Sequence, residues 1–260
     1  MNDALVLCYH SVSPGFPERT NVTPAAFAAQ VGGLVARGYR GVTFRDAVLG
    51  APAGRVLAVT FDDAYASVLE HALPVLAGLG IPGSVYPVTD LVGSAAPMAW
   101  PGIEGWVGGP HERELLGMGW DGLRMLADAG WEVGSHTCGH PWLPSCDDGR
   151  LRDELVRSRA EIEERLDVRC DTLAYPYGGV DPRVIAAARD AGYAAAGAIA
   201  STRTGDPLDH PRVGVYAIDS GRRFALKASV AVRRVRALNG RRGDWPRPDP
   251  SWDPGPGGPA

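Results

Sequence analysis

Asp62 and Asp63 stand side by side at the end of an apolar run, Val-Leu-Ala-Val-Thr-Phe over residues 56–61. Two adjacent carboxylates in that setting lose hydration and repel one another, so they call for a compensating cation or a proton relay. Capping the helix that follows is the other use open to either of them. Further along, His136-Thr137-Cys138-Gly139-His140 carries two imidazoles four residues apart, able to reach one point from a helical turn or a tight loop. A histidine pair by itself is more often structural. Taken with the carboxylates, the set becomes one carboxylate and two imidazoles, which leaves positions on a divalent cation open for water and substrate.

The elements that must hold these residues alternate along the chain. Strand patterns cover residues 4–9, 56–63, 83–88, 131–133, 171–175, 193–199 and 213–218, each apolar and bounded by Gly, Pro or polar residues. Helical patterns lie between them: 24–38 behind a Thr23-Pro24 start, 68–79 with Pro74 expected to bend it, 121–129, a long one with Leu151, Leu155, Ile162 and Leu166 on one face and charges on the other, 181–191, and 221–238. About seven strand-helix repeats predict an α/β fold with a parallel sheet closed or nearly closed into a barrel. Chemistry in such folds sits at the carboxyl ends of the strands, where Tyr9-His10, Asp62-Asp63, His136 and Tyr175-Pro176-Tyr177 all fall. Residues 93–119, rich in Gly, Pro and Trp, are too long for an ordinary connection and suggest a functional loop or lid. The barrel is expected over residues 1–238, and the Pro/Gly/Arg-rich residues 239–260 are expected to be disordered.

Composition narrows the classes. A net charge of -4 gives no general case for nucleic acid as a partner. The four cysteines, Cys8, Cys138, Cys146 and Cys170, are scattered without a CxxC pair, which fits reduced, buried thiols. The first residues offer neither a basic n-region nor a membrane-length apolar run, so a cytoplasmic location is expected. Between Arg222 and Arg247 there are nine Arg or Lys residues against one acid, Asp244. A solvated helix face is the plainer account of that cluster; peripheral contact with an anionic membrane, beside a lipid-linked glycan precursor, is the sharper one. Oligomeric state leaves no signal.

Thr60-Phe61-Asp62-Asp63, Ser135-His136-Thr137-Cys138-Gly139-His140 and Tyr175-Pro176-Tyr177-Gly178, in this order, resemble the motifs of the polysaccharide deacetylases of carbohydrate esterase family four. The resemblance runs from about residue 5 to about residue 229. It implies a deformed (β/α)7 TIM-like barrel and removal of an N-acetyl group from an amino-sugar glycan or glycan precursor. It further implies a divalent metal held by Asp63, His136 and His140, most often Zn2+, with Co2+, Ni2+, Fe2+ or Mn2+ as substitutes. Asp62 is then the general base, Tyr175, Pro176 and Tyr177 line the substrate, and a backbone N–H near Tyr177 helps to stabilise the oxyanion. Two departures stand out: Ala64 follows Asp63 where the family usually has Gly, and Ala174 stands where many members carry an Arg that orients the base. Arg212, entering a late strand, is the candidate replacement, because a guanidinium is the best fork for a carboxylate.

For the general acid, Leu208-Asp209-His210 matches the letters of the family's late Leu-x-His motif, but His210 precedes a strand; His10, at the carboxyl end of the first strand, is preferred. Trp100, Trp106, Trp120 and Trp142 could stack on sugar rings or simply anchor loops. Two other readings stay open: hydrolysis of a different C–N bond, such as a cyclic amide, and a carbohydrate-binding barrel that has lost catalysis.

Overall fold

Val56, Ala58 and Thr60 alternate with Leu57, Val59 and Phe61, and a strand sends successive side chains to opposite faces. In the computed structural model, which describes residues 3–50, 52–199 and 205–238, these residues form one strand of a curled parallel sheet. The chain runs β1 (Asp3–Tyr9), α1 (Pro24–Val35), β2 (Arg40–Gly41), α2 (Phe44–Leu49), β3 (Arg55–Asp62), α3 (Leu73–Leu79), β4 (Ser84–Tyr86), α4 (Trp120–Asp128), β5 (Glu132–Val133), α5 (Asp148–Leu166), β6 (Thr172–Ala174), α6 (Pro182–Asp190), β7 (Ala195–Ile199), β8 (His210–Gly214), α7 (Gly221–Ala228) and α8 (Val230–Leu238). The strand order is β5-β4-β3-β1-β8-β7-β6, with β2 paired beside β3. The two ends of that path meet where Ser135 bridges Leu173 in parallel, so seven strands complete a deformed (β/α)7 barrel.

The alternation decides what lies where. Leu5, Leu7, Tyr9, Leu57, Val59 and Phe61 belong to the large core between sheet and helices, where Tyr9 meets Phe27 of α1 edge-on at 5.1 Å. Val6, Val56 and Ala58 pack with Phe44, Tyr86, Ala174 and Ala195 in a smaller cluster. Asp62 follows Phe61, so period two puts its carboxylate on the same face as Ala58 and Thr60, opposite the helix layer.

Several boundaries differ from the sequence expectation, each for a local reason. The helical run expected over 68–79 opens as a π-helical turn, Val68–Ala72, that leads directly into α3, and Pro74, which has no N–H to give to the turn before it, stands at that junction. The expected strand over 213–218 is shifted to His210–Gly214, because Asp219 draws the next residues into a turn by accepting from the Tyr216 N–H at 3.0 Å. Ile218 is consequently exposed. The single helix expected over 221–238 is two, broken at the extended Ser229. Residues 239–260, expected to be a tail, lie outside the described residues. Arg233, from the basic cluster, donates to the carbonyls of Ala228 and Ala4 and so ties α8 to β1. No helix among the described residues is long and apolar enough to cross a membrane.

Candidate active site

Every reactive side chain hangs from the carboxyl end of a strand. His10 follows β1, Asp62 ends β3 with Asp63 next, His136 and His140 lie in the loop after β5, Tyr177 turns after β6, and Ile199 ends β7. With Trp100, which reaches over from the long 93–119 segment, they line a cavity of about 10 Å³, room for about one water. The Trp100 ring stacks on that of His140, centroids 4.1 Å apart.

Arg212 crosses from β8 to Asp62. Its Nη1 donates to Asp62 Oδ1 at 2.6 Å and to Thr60 Oγ1 at 3.1 Å, and its Nη2 donates to Asp62 Oδ2 at 2.8 Å. Both partners are buried, and the fork is bidentate, the strongest form of this pair. Room for it depends on Gly197: a Cβ there would lie 2.4 Å from Arg212 Nε. Cys8 adds a third contact, its thiol donating to Asp62 Oδ2 at 3.3 Å. Burial alone would raise the Asp62 carboxyl, but the guanidinium, with His136 and His10 nearby, holds it well below the usual carboxylate range. Asp62 is therefore ionised at any ordinary pH. Ligand atoms of Cys8, His10 and Asp62 lie within 4.8 Å of one another, yet Arg212 already supplies the positive charge there. Burial also keeps the Cys8 thiol protonated, which makes it a donor rather than a ligand.

A second cluster has no such cation. Nε2 of His136 and of His140 lie 3.3 Å and 3.5 Å from Asp63 Oδ1, and all three residues are buried. His136 Nδ1 sits 2.8 Å from the Ala174 carbonyl, which fixes a proton on that nitrogen and turns Nε2 toward Asp63. Burial, with His136 next to it, pushes His140 down to about 3, so its ring is neutral. Asp63 Oδ1 and His140 Nδ1 have no hydrogen-bond partner. Burial opposes a charge on His136, but Asp62 and Asp63 outweigh it and raise its pKa; the cluster favours one added positive charge. Metal ligands at about 2.0–2.1 Å in tetrahedral array stand about 3.3–3.4 Å apart, which these separations match. The three residues therefore fit a small divalent cation.

Backbone strain is concentrated here. Asp63, Ala64, Thr137, His140 and Tyr177 all have φ between 52° and 70°, and Asp167 is the one other described non-glycine residue with positive φ. Glu154 of α5 supports the histidine loop, its Oε2 accepting from the Cys138 and Gly139 N–H groups at 2.9 Å each. Sequence reading passes over Glu154 as part of a charged face. Its place among Leu151, Leu155, Ser158 and Ile162, one buried stripe at helical spacing, was the signal.

Other sequence candidates fall elsewhere. Tyr175 is buried and donates its hydroxyl to the Leu208 carbonyl at 2.8 Å, outside the cavity lining. Pro176 is buried in the turn that presents Tyr177. His210 opens β8, at the opposite end from the cavity, with its ring 5.9 Å from Phe44. Trp106 donates to Glu18 at 2.7 Å and stacks edge-on with Phe16, while Arg165 lies over Trp120. Trp142 is 6.3 Å from the Tyr177 ring. The four cysteines are free and buried, and Cys138 turns its thiol to the Glu154 carbonyl.

Comparison with known proteins agrees with this architecture. The family model described as polysaccharide deacetylase matches residues 50–196. YxkH of Bacillus subtilis strain 168, a curated protein assigned to the polysaccharide deacetylases, is 24% identical over 193 residues, 72% of this chain; the match spans 61% of that relative's length. Among solved structures, IcaB from Ammonifex degensii is 28% identical with a TM-score of 0.71, over 88% of this chain and 97% of the other. The Streptococcus pyogenes deacetylase PplD, solved in complex with acetate, shares the fold at 18% identity and a TM-score of 0.72, over 87% of this chain and 98% of the other. With more than half its length inside the family model and the three motifs at its strand ends, the chain belongs to the polysaccharide deacetylase family.

Proposed function

We propose that the protein is a metal-dependent hydrolase that removes an N-acetyl group from an amino-sugar glycan or glycan precursor. The observation that carries this reading is the convergence of Asp63, His136 and His140 beside an ionised Asp62 in one cavity. Asp63, His136 and His140 would hold the cation, with Zn2+ best suited to one carboxylate and two neutral imidazoles. When bound, such a cation lowers the pKa of a water to about 7 and polarises the acyl oxygen.

The remaining work belongs to the chain. Asp62, fixed at both oxygens by Arg212, accepts a proton from the attacking water and orients it. A carboxylate held this low is a weak base, so its contribution is largely alignment, which the bidentate fork fixes. His10, also in the cavity lining, donates a proton to the departing amine. The strained turn at Tyr177 offers backbone N–H to the developing oxyanion. The aromatic faces of Trp100 and Tyr177 exclude water around the reacting carbonyl. Arg212 supplies the cation that position 174 lacks, which favours a working enzyme over a carbohydrate-binding barrel.

Metal analysis with an acetate-release assay on N-acetylhexosamine oligomers tests the reading. The wild type should carry about one divalent ion and release acetate; Asp62→Asn should keep the ion and lose about 10²–10⁴-fold in turnover. Ring opening of small imides with no acetate release would instead establish cyclic-amide hydrolysis.

A further inference from the structure

We infer that Glu154 is a positioning residue for the metal site: it holds the His136–His140 loop in the one shape that lets both histidines face Asp63, without touching any reacting group. The inference rests on the proposed metal role of those histidines. Thr137 at φ 70° and His140 at φ 60° occupy the left-handed region, which is unusual for any side chain and worst for a β-branched one. A backbone bent that way persists only where its surroundings over-determine it.

The surroundings do so from both sides. Glu154 Oε2 receives the N–H groups of Cys138 and Gly139 at 2.9 Å each. On the opposite side the Thr137 and Cys138 carbonyls accept from the Thr89 and Asp90 N–H groups at 3.1 Å. Thr137 N–H donates to Ser135 Oγ at 3.0 Å, and His140 N–H donates to Thr137 Oγ1 at 3.1 Å. The Cys138 peptide is buried, so without Glu154 its N–H has no water to turn to.

The two histidines depend on this grip unequally. His136 has an anchor of its own, Nδ1 on the Ala174 carbonyl. His140 Nδ1 has none, so its ring is aimed by the backbone before it and by the Trp100 face. Rotation of the peptides at 138 and 139 would therefore displace one ligand of the three and leave the other two in place. Partners that orient metal ligands are worth about 10–100-fold in affinity.

Glu154→Gln keeps a carbonyl oxygen where Oε2 is, while Glu154→Asp keeps the charge but withdraws the acceptor by one methylene. Zn2+ affinity of the chelator-stripped full chain, by competition titration, should stay within about threefold of wild type for Gln and fall about 10–100-fold for Asp and Ala. In the metal-free protein, amide exchange at 138–140 should accelerate in Asp and Ala and not in Gln. If Glu154→Ala does not fold, the Asp and Gln pair decides. Wild-type affinity and exchange in Asp, or a Gln variant as weak as Asp, overturns the inference. A wild type that takes up no Zn2+ sinks the metal reading instead, and the exchange comparison still judges Glu154.

Discussion

Replacing Arg212 by methionine keeps most of the side-chain length and removes the charge, leaving Asp62 ionised, buried and without its main partner. The cost can be worked from the geometry. The Asp62 side chain is 2% exposed and that of Arg212 0%, so solvent screens neither, and both Asp62 oxygens lose a charged donor. Breaking one side of a buried pair costs about 3–5 kcal/mol. At about 2–4 °C per kcal/mol for a chain near this size, thermal unfolding should shift down by about 10 °C. Cys8 and Thr60 cannot compensate, since neither carries a charge, and turnover should fall about 10²-fold or more once Asp62 is free to move by about 1 Å. The double variant Arg212→Met with Asp62→Asn removes the stranded charge and should recover much of the lost stability, a coupling of about 3 kcal/mol, near the top of the range for residues in contact. Urea midpoints on chelator-treated protein measure this without help from a bound cation. A single variant with wild-type midpoint and turnover, or a double variant no more stable than the single, would refute the assignment of Arg212 as the partner of Asp62.

Two further outcomes follow. His10→Ala should lower acetate release by about 10²-fold with its metal content intact, while His210→Ala, at the far end of the barrel, should stay within about threefold; the reverse result would move the general acid to a residue outside the cavity. Anionic vesicles should retain the full chain at low salt if the basic cluster contacts lipid, and removing residues 239–260 together with charge reversal at the exposed Arg222 should abolish that retention. Binding unaffected by both changes ends the membrane proposal. Arg233 is a poor choice for reversal, because its two backbone contacts hold α8.

The parts of this fold legible in the sequence are those where one physical rule acts alone. Period-two alternation through Phe61 determines the face of Asp62, and the need of a buried carboxylate for a fork is what points to Arg212, two strands away in the sheet. Where rules compete, the sequence misleads. Val213 to Ile218 has strand-forming composition, yet the Asp219 side chain captures the backbone at Tyr216 and ends the ladder early. Pro74 and a helical period conflict, and the chain meets the conflict with a π-turn just before the proline. Glu154 is read as a solvent charge because helix charges usually are, although its stripe mates are buried.

The largest gap concerns the backbone of the site itself. Nothing in the propensity of Thr137, Ala64 or Tyr177 announces φ values of 70°, 52° and 57°, since each residue prefers another region. Local preference fails at these positions because the strand ends must deliver side chains to one point that a relaxed loop would not reach. Beyond the local Ser135 and Thr137 hydroxyls, the loop is held by groups remote in sequence, Glu154 and the peptides of Thr89 and Asp90, whose relation to it exists once the barrel has formed. Side-chain identity therefore reveals which chemistry is intended, while the supports that make the geometry attainable become visible only through the strain they offset.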